Sequence, residues 1–178
     1  MNRAGRGRTF PAFSFAEGKM DEKLTHIDEA GNVVMVDVGD KADTKRRAVV
    51  RCRVLLNAHT FDLLTKNALP KGDVLTTAKV AGIMAAKRTW ELIPMCHPLL
   101  LSKVDVQLTP VPADRAIEIE AEARTMGPTG VEMEALMAAQ VAAMTIYDMC
   151  KAVQRDIVIT DCRLTHKSGG KSGEFNAP

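Results

Sequence analysis

Asp148 and Lys151 stand three residues apart in a run that is otherwise apolar, with Met144, Ile146, Tyr147, Met149 and Cys150 around them. Side chains at i and i+3 share one helix face. A carboxylate and an ammonium can therefore face one cleft. A surface salt bridge is the ordinary account of such a pair. The apolar surroundings point instead to a pair that satisfies itself internally or faces a ligand. Glu132 and Glu134 open the same helical stretch. Acids there are favoured by the helix dipole. They could equally recognise a guanine-like edge, whose N1–H and 2-amino group need the two acceptors of a carboxylate. The loop IPMCHP (93–98) holds Cys96 and His97 between two prolines that stiffen it. The imidazole follows directly on a helix end, where a ligand contact and a structural role are both open. No second His or carboxylate stands nearby at ligand spacing, so no metal site is expected.

Residues 167–173, KSGGKSG, invite a phosphate-loop reading that fails. The motif would need Gly at 165, where this chain has Thr165, and the loop opens no helix. What survives is a basic loop whose lysines and backbone N–H groups could wrap phosphate oxygens. Lys41, Lys45, Arg46 and Arg47 form another basic segment, and Lys71 sits in a Pro-Lys-Gly corner before a helix. Helix N-termini favour anions. Each of these could be a solvated charge. Together, in a chain of net charge +2, they suggest one polyanionic small ligand.

The 178 residues make about one domain, with 24 basic and 22 acidic side chains in near balance. That balance gives no electrostatic case for nucleic-acid binding. Aromatics are 4%, too few to build base-stacking platforms. No apolar run reaches the ~18–20 residues that span a bilayer. Cysteines 52, 96, 150 and 162 show no C-x-x-C spacing, and with no secretory signal they read as free thiols. A cytoplasmic location is expected. Residues 1–22 carry Arg3, Arg6 and Arg8 but no apolar signal region. They read as a mobile arm before a single domain at 23–178.

The elements that must hold these residues follow from periodicity. Residues 32–38 are a short β-prone stretch, 40–47 a charge-dense turn and 48–56 a strand. A short helix is expected over 59–67, closed by Pro70-Lys71-Gly72. Asp73 then caps a helix running to about 91. Its Ala78, Ala81, Gly82, Ala85 and Ala86 would let another backbone approach closely. Val104, Val106 and Leu108 alternate with polar residues; so do Ile117, Ile119, Ala121 and Ala123 after a turn at 111–115. Period two with one polar face predicts an antiparallel hairpin. Residues 131–153 predict a helix with so few charges in its middle that it should be largely buried. A strand over 156–164 and a loop tail complete the chain. The order β, α in two pieces, β, β, α, β predicts an α+β, ferredoxin-like fold: an antiparallel sheet with helices on one face. Glu118, Glu120 and Glu122 charge the other face.

Five segments together resemble one family: residues 35–46, 71–99, 130–136, 144–153 and 167–175. They are similar to the MoaC family, the cyclic pyranopterin monophosphate synthases of molybdenum cofactor biosynthesis. The resemblance covers about residues 24–175 and leaves the arm outside. It implies a ferredoxin-like subunit in a homohexamer, a trimer of dimers with active sites at subunit interfaces. It implies a lyase acting on 3′,8-cyclo-7,8-dihydroguanosine triphosphate, made from GTP by a preceding radical enzyme to which a functional link is implied. The product is cyclic pyranopterin monophosphate, with pyrophosphate released and no cofactor. By the same resemblance, Asp148, Lys71 and Lys151 are catalytic. Met95, Cys96 and His97, with Glu132, Met133 and Glu134, bind substrate. Lys41, Arg46, Lys167 and Lys171 contact phosphates. One lysine is expected to lie near a second cation, lowering its pKa for proton transfer.

Two rival readings predict different observations. A non-catalytic nucleotide-sensing ring would bind without turnover and tolerate Asp148→Asn. An RNA-binding domain of this topology would carry aromatics on its central strands, where AIEIEAEAR offers carboxylates.

Overall fold

The two alternating stretches form the hairpin they predict. Strand β2 (Leu101–Val111) pairs antiparallel with β3 (Ala116–Gly127), Val106 opposite Ala121 and Leu108 opposite Ile119. The structure, a computed structural model, describes residues 31–178. The expected arm at 1–22 lies outside the described residues. A compact unit runs from Met35 to Pro178, and residues 31–34 belong to a separate preceding unit.

The remaining elements are β1 (Thr44–Leu55), α1 (Ala58–Thr65), α2 (Val74–Ala86), α3 (Thr89–Leu92), α4 (Glu132–Cys150), β4 (Val158–Ser168) and β5 (Phe175–Asn176). The sheet order is β2-β3-β1-β4-β5, with every pairing antiparallel. Helices α2 and α4 cover one face, an α+β arrangement consistent with the ferredoxin-like expectation. Core residues alternate along the strands, Val50, Cys52 and Val54 on β1 and Ile117 and Ile119 on β3. Against them lies an alanine face of α4, including Ala135, Ala138, Ala142 and Ile146. Gly82 seats α2 on α4: a Cβ there would stand 2.6 Å from the Ala138 carbonyl oxygen. The small-residue face of α2 thus does what its composition predicts.

Several boundaries differ from expectation. Residues 32–38 form no strand, only a single β-bridge at Val33. Residues 44–47 are not a turn but the start of β1, with Thr44 opposite Gly127 and Arg47 opposite Arg124. The charges are tolerated because the sheet supplies partners: Arg47, Lys103 and Arg124 all reach Glu122 at 2.6–2.9 Å. Burial raises the Glu122 pKa, but hydrogen bonds from Arg124, Lys103 and Arg47 outweigh it and hold the group at about 2. The helix expected to reach 91 breaks after Ala86. Thr89 is buried and its hydroxyl donates to the Ala86 carbonyl at 3.1 Å, competing with helix continuation. Strand β4 runs on to Ser168, because bulges opposite Val49/Val50 and Arg51/Arg53 shift its alternation. The tail is not all loop; β5 pairs back onto β4. Helix α4 is buried along its alanine face, but Gln140 and Met144 are exposed.

Candidate active site

The last turn of α4 presents Asp148 at the surface, between two lysines. Lys151, three residues on, places Nζ 2.6 Å from Asp148 Oδ1. Lys71 comes from the turn between α1 and α2, where Asn67 and Gly72 adopt positive φ of 52° and 85°. Its Nζ donates to Asp148 Oδ2 at 2.9 Å and to the Asp148 carbonyl at 3.0 Å. Asp73 begins α2 as expected, its carboxylate accepting from Thr76 N at 3.0 Å. Lys151 and then Lys71 hold the Asp148 pKa down to about 2. At neutral pH this carboxyl is ionised. The Lys151 pKa is raised, because it hydrogen-bonds the Asp148 carboxylate. The expected lowering of a lysine pKa by a neighbouring cation does not hold for Lys151; the carboxylate between the two lysines dominates. Behind the cluster Cys150 is buried, and burial pushes its thiol up to about 11 against the pull of Lys71. One supporting residue escaped sequence reasoning. Gln154 is buried and accepts the Asn57 backbone N–H at 2.9 Å, tying the end of α4 to the start of α1.

A second group gathers at the other end of α4. Glu134 is 4% exposed, and burial, with repulsion from Glu132, lifts its carboxyl to about 7 against its own backbone N–H. Cys96 lies close enough to feel that carboxyl; burial and then Glu134 raise its thiol pKa. His97 Nε2 lies 2.9 Å from the Val36 carbonyl. A carbonyl only accepts, so Nε2 carries the proton and Nδ1 is left to accept from a ligand. Met95 and Met133 are half-buried beside these residues in sequence. Lys167 Nζ stands 3.4 Å from Glu132 Oε1. Arg46 donates to the Gly127 and Pro128 carbonyls at 3.3 and 3.0 Å. Lys171 is exposed in the glycine loop, and Lys41 is exposed in a turn closed by its N–H on Val38 O. Neither makes an ion pair among the described residues. A separate groove of about 580 Å³, lined by Ile83, Lys87 and Leu99–Val104, contains none of these groups.

The two groups do not meet within one chain. Sixteen residues separate Glu132 from Asp148, roughly 24 Å along a helix rising ~1.5 Å per residue. One end offers carboxylate acceptors beside Lys167; the other offers a carboxylate braced by two ammonium groups. Among the described residues no three His, Cys, Asp or Glu side chains converge as a metal cage would require.

The model of the MoaC family matches residues 35–170. The cyclic pyranopterin monophosphate synthase of Oleidesulfovibrio alaskensis is 68% identical over 158 residues, covering 89% of this chain and 99% of the relative. That of Nitratidesulfovibrio vulgaris is 66% identical over 154 residues, 86% and 96% of the two chains. A more distant relative of the same name, from Chloroflexus aurantiacus, is 59% identical over 156 residues, 88% and 96% of the two chains.

Proposed function

The chain belongs to the MoaC family, and we propose that it carries out the family's reaction in sites shared between two copies. It is a lyase of molybdenum cofactor biosynthesis, a cyclic pyranopterin monophosphate synthase by its relatives. It takes 3′,8-cyclo-7,8-dihydroguanosine triphosphate, supplied by a radical enzyme acting on GTP, and releases pyrophosphate. A GTP-derived substrate supports a cytoplasmic location.

The observation that carries the shared site is the separation of the two groups by the length of α4. No charged residue lies between Glu134 and Asp148. Yet the outward side of that span exposes Gln140 and Met144, and α2 beside it exposes Val80 and Met84. An uncharged helix surface of this kind suits a second copy. A two-fold axis near Gln140, midway between the groups, brings Glu134 of one copy toward Asp148 of the other. One such contact makes two complete sites. Three such dimers make the hexamer.

In each site Glu132 and Glu134 accept from the guanine-derived edge. Substrate N–H groups favour the ionised form of Glu134 and draw its pKa below about 7. His97 Nδ1 accepts a further hydrogen, and Met95, Cys96 and Met133 line the base. Arg46, Lys167, Lys171 and Lys41 hold the triphosphate and stabilise the departing pyrophosphate. Asp148 accepts a proton during ring opening. Lys151 and Lys71, both hydrogen-bonded to that carboxylate, return protons to the rebuilt ring and to the leaving oxygens.

The test is pyrophosphate release from purified cyclic dihydro-GTP, with GTP as control. Wild type should turn over and form the pterin. Asp148→Asn should lose at least ~10²-fold in rate, the usual share of a positioned acid or base. Tight binding without turnover in wild type returns the chain to the sensor reading.

A further inference from the structure

The glycine loop that carries Lys171 is fastened at its far end, and we propose that the fastening is part of substrate binding. His166 and Asn176 are positioning residues that hold the 169–173 loop, flanked by Lys167 and bearing Lys171, where the triphosphate docks. This rests on the reading of the two lysines as phosphate contacts.

The loop has little shape of its own. Gly169, Gly170 and Gly173 adopt φ of 98°, 77° and 66°, and glycine is the residue with most conformational freedom to lose. Its inner end is pressed against β1: a Cβ on Gly169 would strike the Lys45 carbonyl, and one on Gly170 the Arg46 guanidinium. Within it Gly173 N donates to Gly170 O at 3.2 Å, and Lys167 Nζ to Ser172 Oγ at 2.8 Å. Its outer end returns as β5, with Lys167 opposite Phe175 and His166 opposite Asn176. A two-residue strand is marginal unaided. Side chains reinforce it. His166 Nδ1 lies 2.8 Å from Asn176 Oδ1, and Asn176 Nδ2 donates to Glu174 Oε1 at 3.1 Å. Because the amide nitrogen is spent on Glu174, the amide oxygen faces His166, and Nδ1 donates. Ala177 N adds a bond to Thr165 O at 2.9 Å.

Releasing this clasp leaves Lys167 held on β4 by its pairing with β1 but Lys171 unplaced. The loop must then be ordered by the substrate itself, which weakens binding without touching the proton-transfer group. The loss should therefore fall on KM rather than kcat.

His166→Ala and Asn176→Ala should each raise KM for cyclic dihydro-GTP about tenfold, with kcat within about twofold. Competitive inhibition by inorganic pyrophosphate should weaken in parallel. His166→Asn, whose amide nitrogen can donate from the Nδ1 position, should restore most of the binding. Lys167→Ala serves as the reference. If it raises KM while both alanine variants match wild type, the clasp is refuted and the phosphate reading survives. If Lys167→Ala leaves KM unchanged, the phosphate reading fails and the clasp with it. A fall in kcat at unchanged KM also overturns the proposal.

Discussion

A shared site makes a quantitative prediction for mixed assemblies. Asp148→Asn disables the group at the end of α4, and Glu134→Gln the group at its start. Each homogeneous variant has one lesion in every site and should be nearly inactive. Now let the two be unfolded together and reassembled in equal amounts, or co-expressed with different tags. If each site takes Asp148 from one copy and Glu134 from the other, a mixed pair holds one site with both lesions and one with neither. Random pairing makes about half of the pairs mixed, so about a quarter of all sites are intact. Pyrophosphate release should recover to roughly 25% of wild type, from two preparations that each give almost none. A site contained within one chain gives the opposite result. Every site then keeps one lesion however the chains are mixed, and activity stays near zero. Since Glu134 and Asp148 lie ~21 Å apart along α4, no modest side-chain rearrangement rescues the single-chain alternative. The control is a mixture of Asp148→Asn with Lys71→Ala. Both lesions belong to one group, where Lys71 Nζ is 2.9 Å from Asp148 Oδ2, so mixing should restore nothing.

Two further outcomes follow from buried features. Glu134 titrates near 7 when folded, above the ordinary carboxyl value of 4.5. The folded state therefore keeps a proton that the unfolded state releases, and the group's penalty on stability grows as pH rises from about 4.5 to 7. Glu134→Gln removes it, so the variant's advantage in thermal unfolding should widen across that window toward something on the order of 2 kcal/mol and then level off; a gap independent of pH refutes the assignment. Gly82→Ala pits a helix-propensity gain of ~1 kcal/mol against a Cβ placed 2.6 Å from the Ala138 carbonyl oxygen. Overpacking of ~1–3 kcal/mol should win, lowering Tm by a few degrees on calorimetry; an unchanged or higher Tm would show that α2 can slide along α4.

What the sequence discloses and what it hides divide along physical lines. The β2–β3 hairpin, the Asp73 cap and the close α2–α4 approach were legible because each depends on local spacing or local steric bulk. By itself Lys71 could be singled out only as a cation before a helix; its partnership with Asp148 could not be read. Its contact with Asp148 spans 77 positions, and no periodicity encodes a partner that far away. The basic segment at 44–47 looks like a turn until β3 supplies Glu122, so its strand character is tertiary. Residues 32–38 fail the other way: their β-prone side chains yield a single bridge at Val33 and no strand. Helix α4 is the most instructive case. Its charge-free middle predicts burial, and along the alanine face the prediction holds. On the outward side Met144 is 52% exposed, and Val80 and Met84 on α2 are 51% and 50% exposed. Sequence patterning records where a chain is dry in its working assembly, whereas one chain's coordinates record where it is dry alone. The difference between the two is what the proposed shared site turns on: Met144 lies on α4 between the two charged groups, on a helix surface that a second copy could cover.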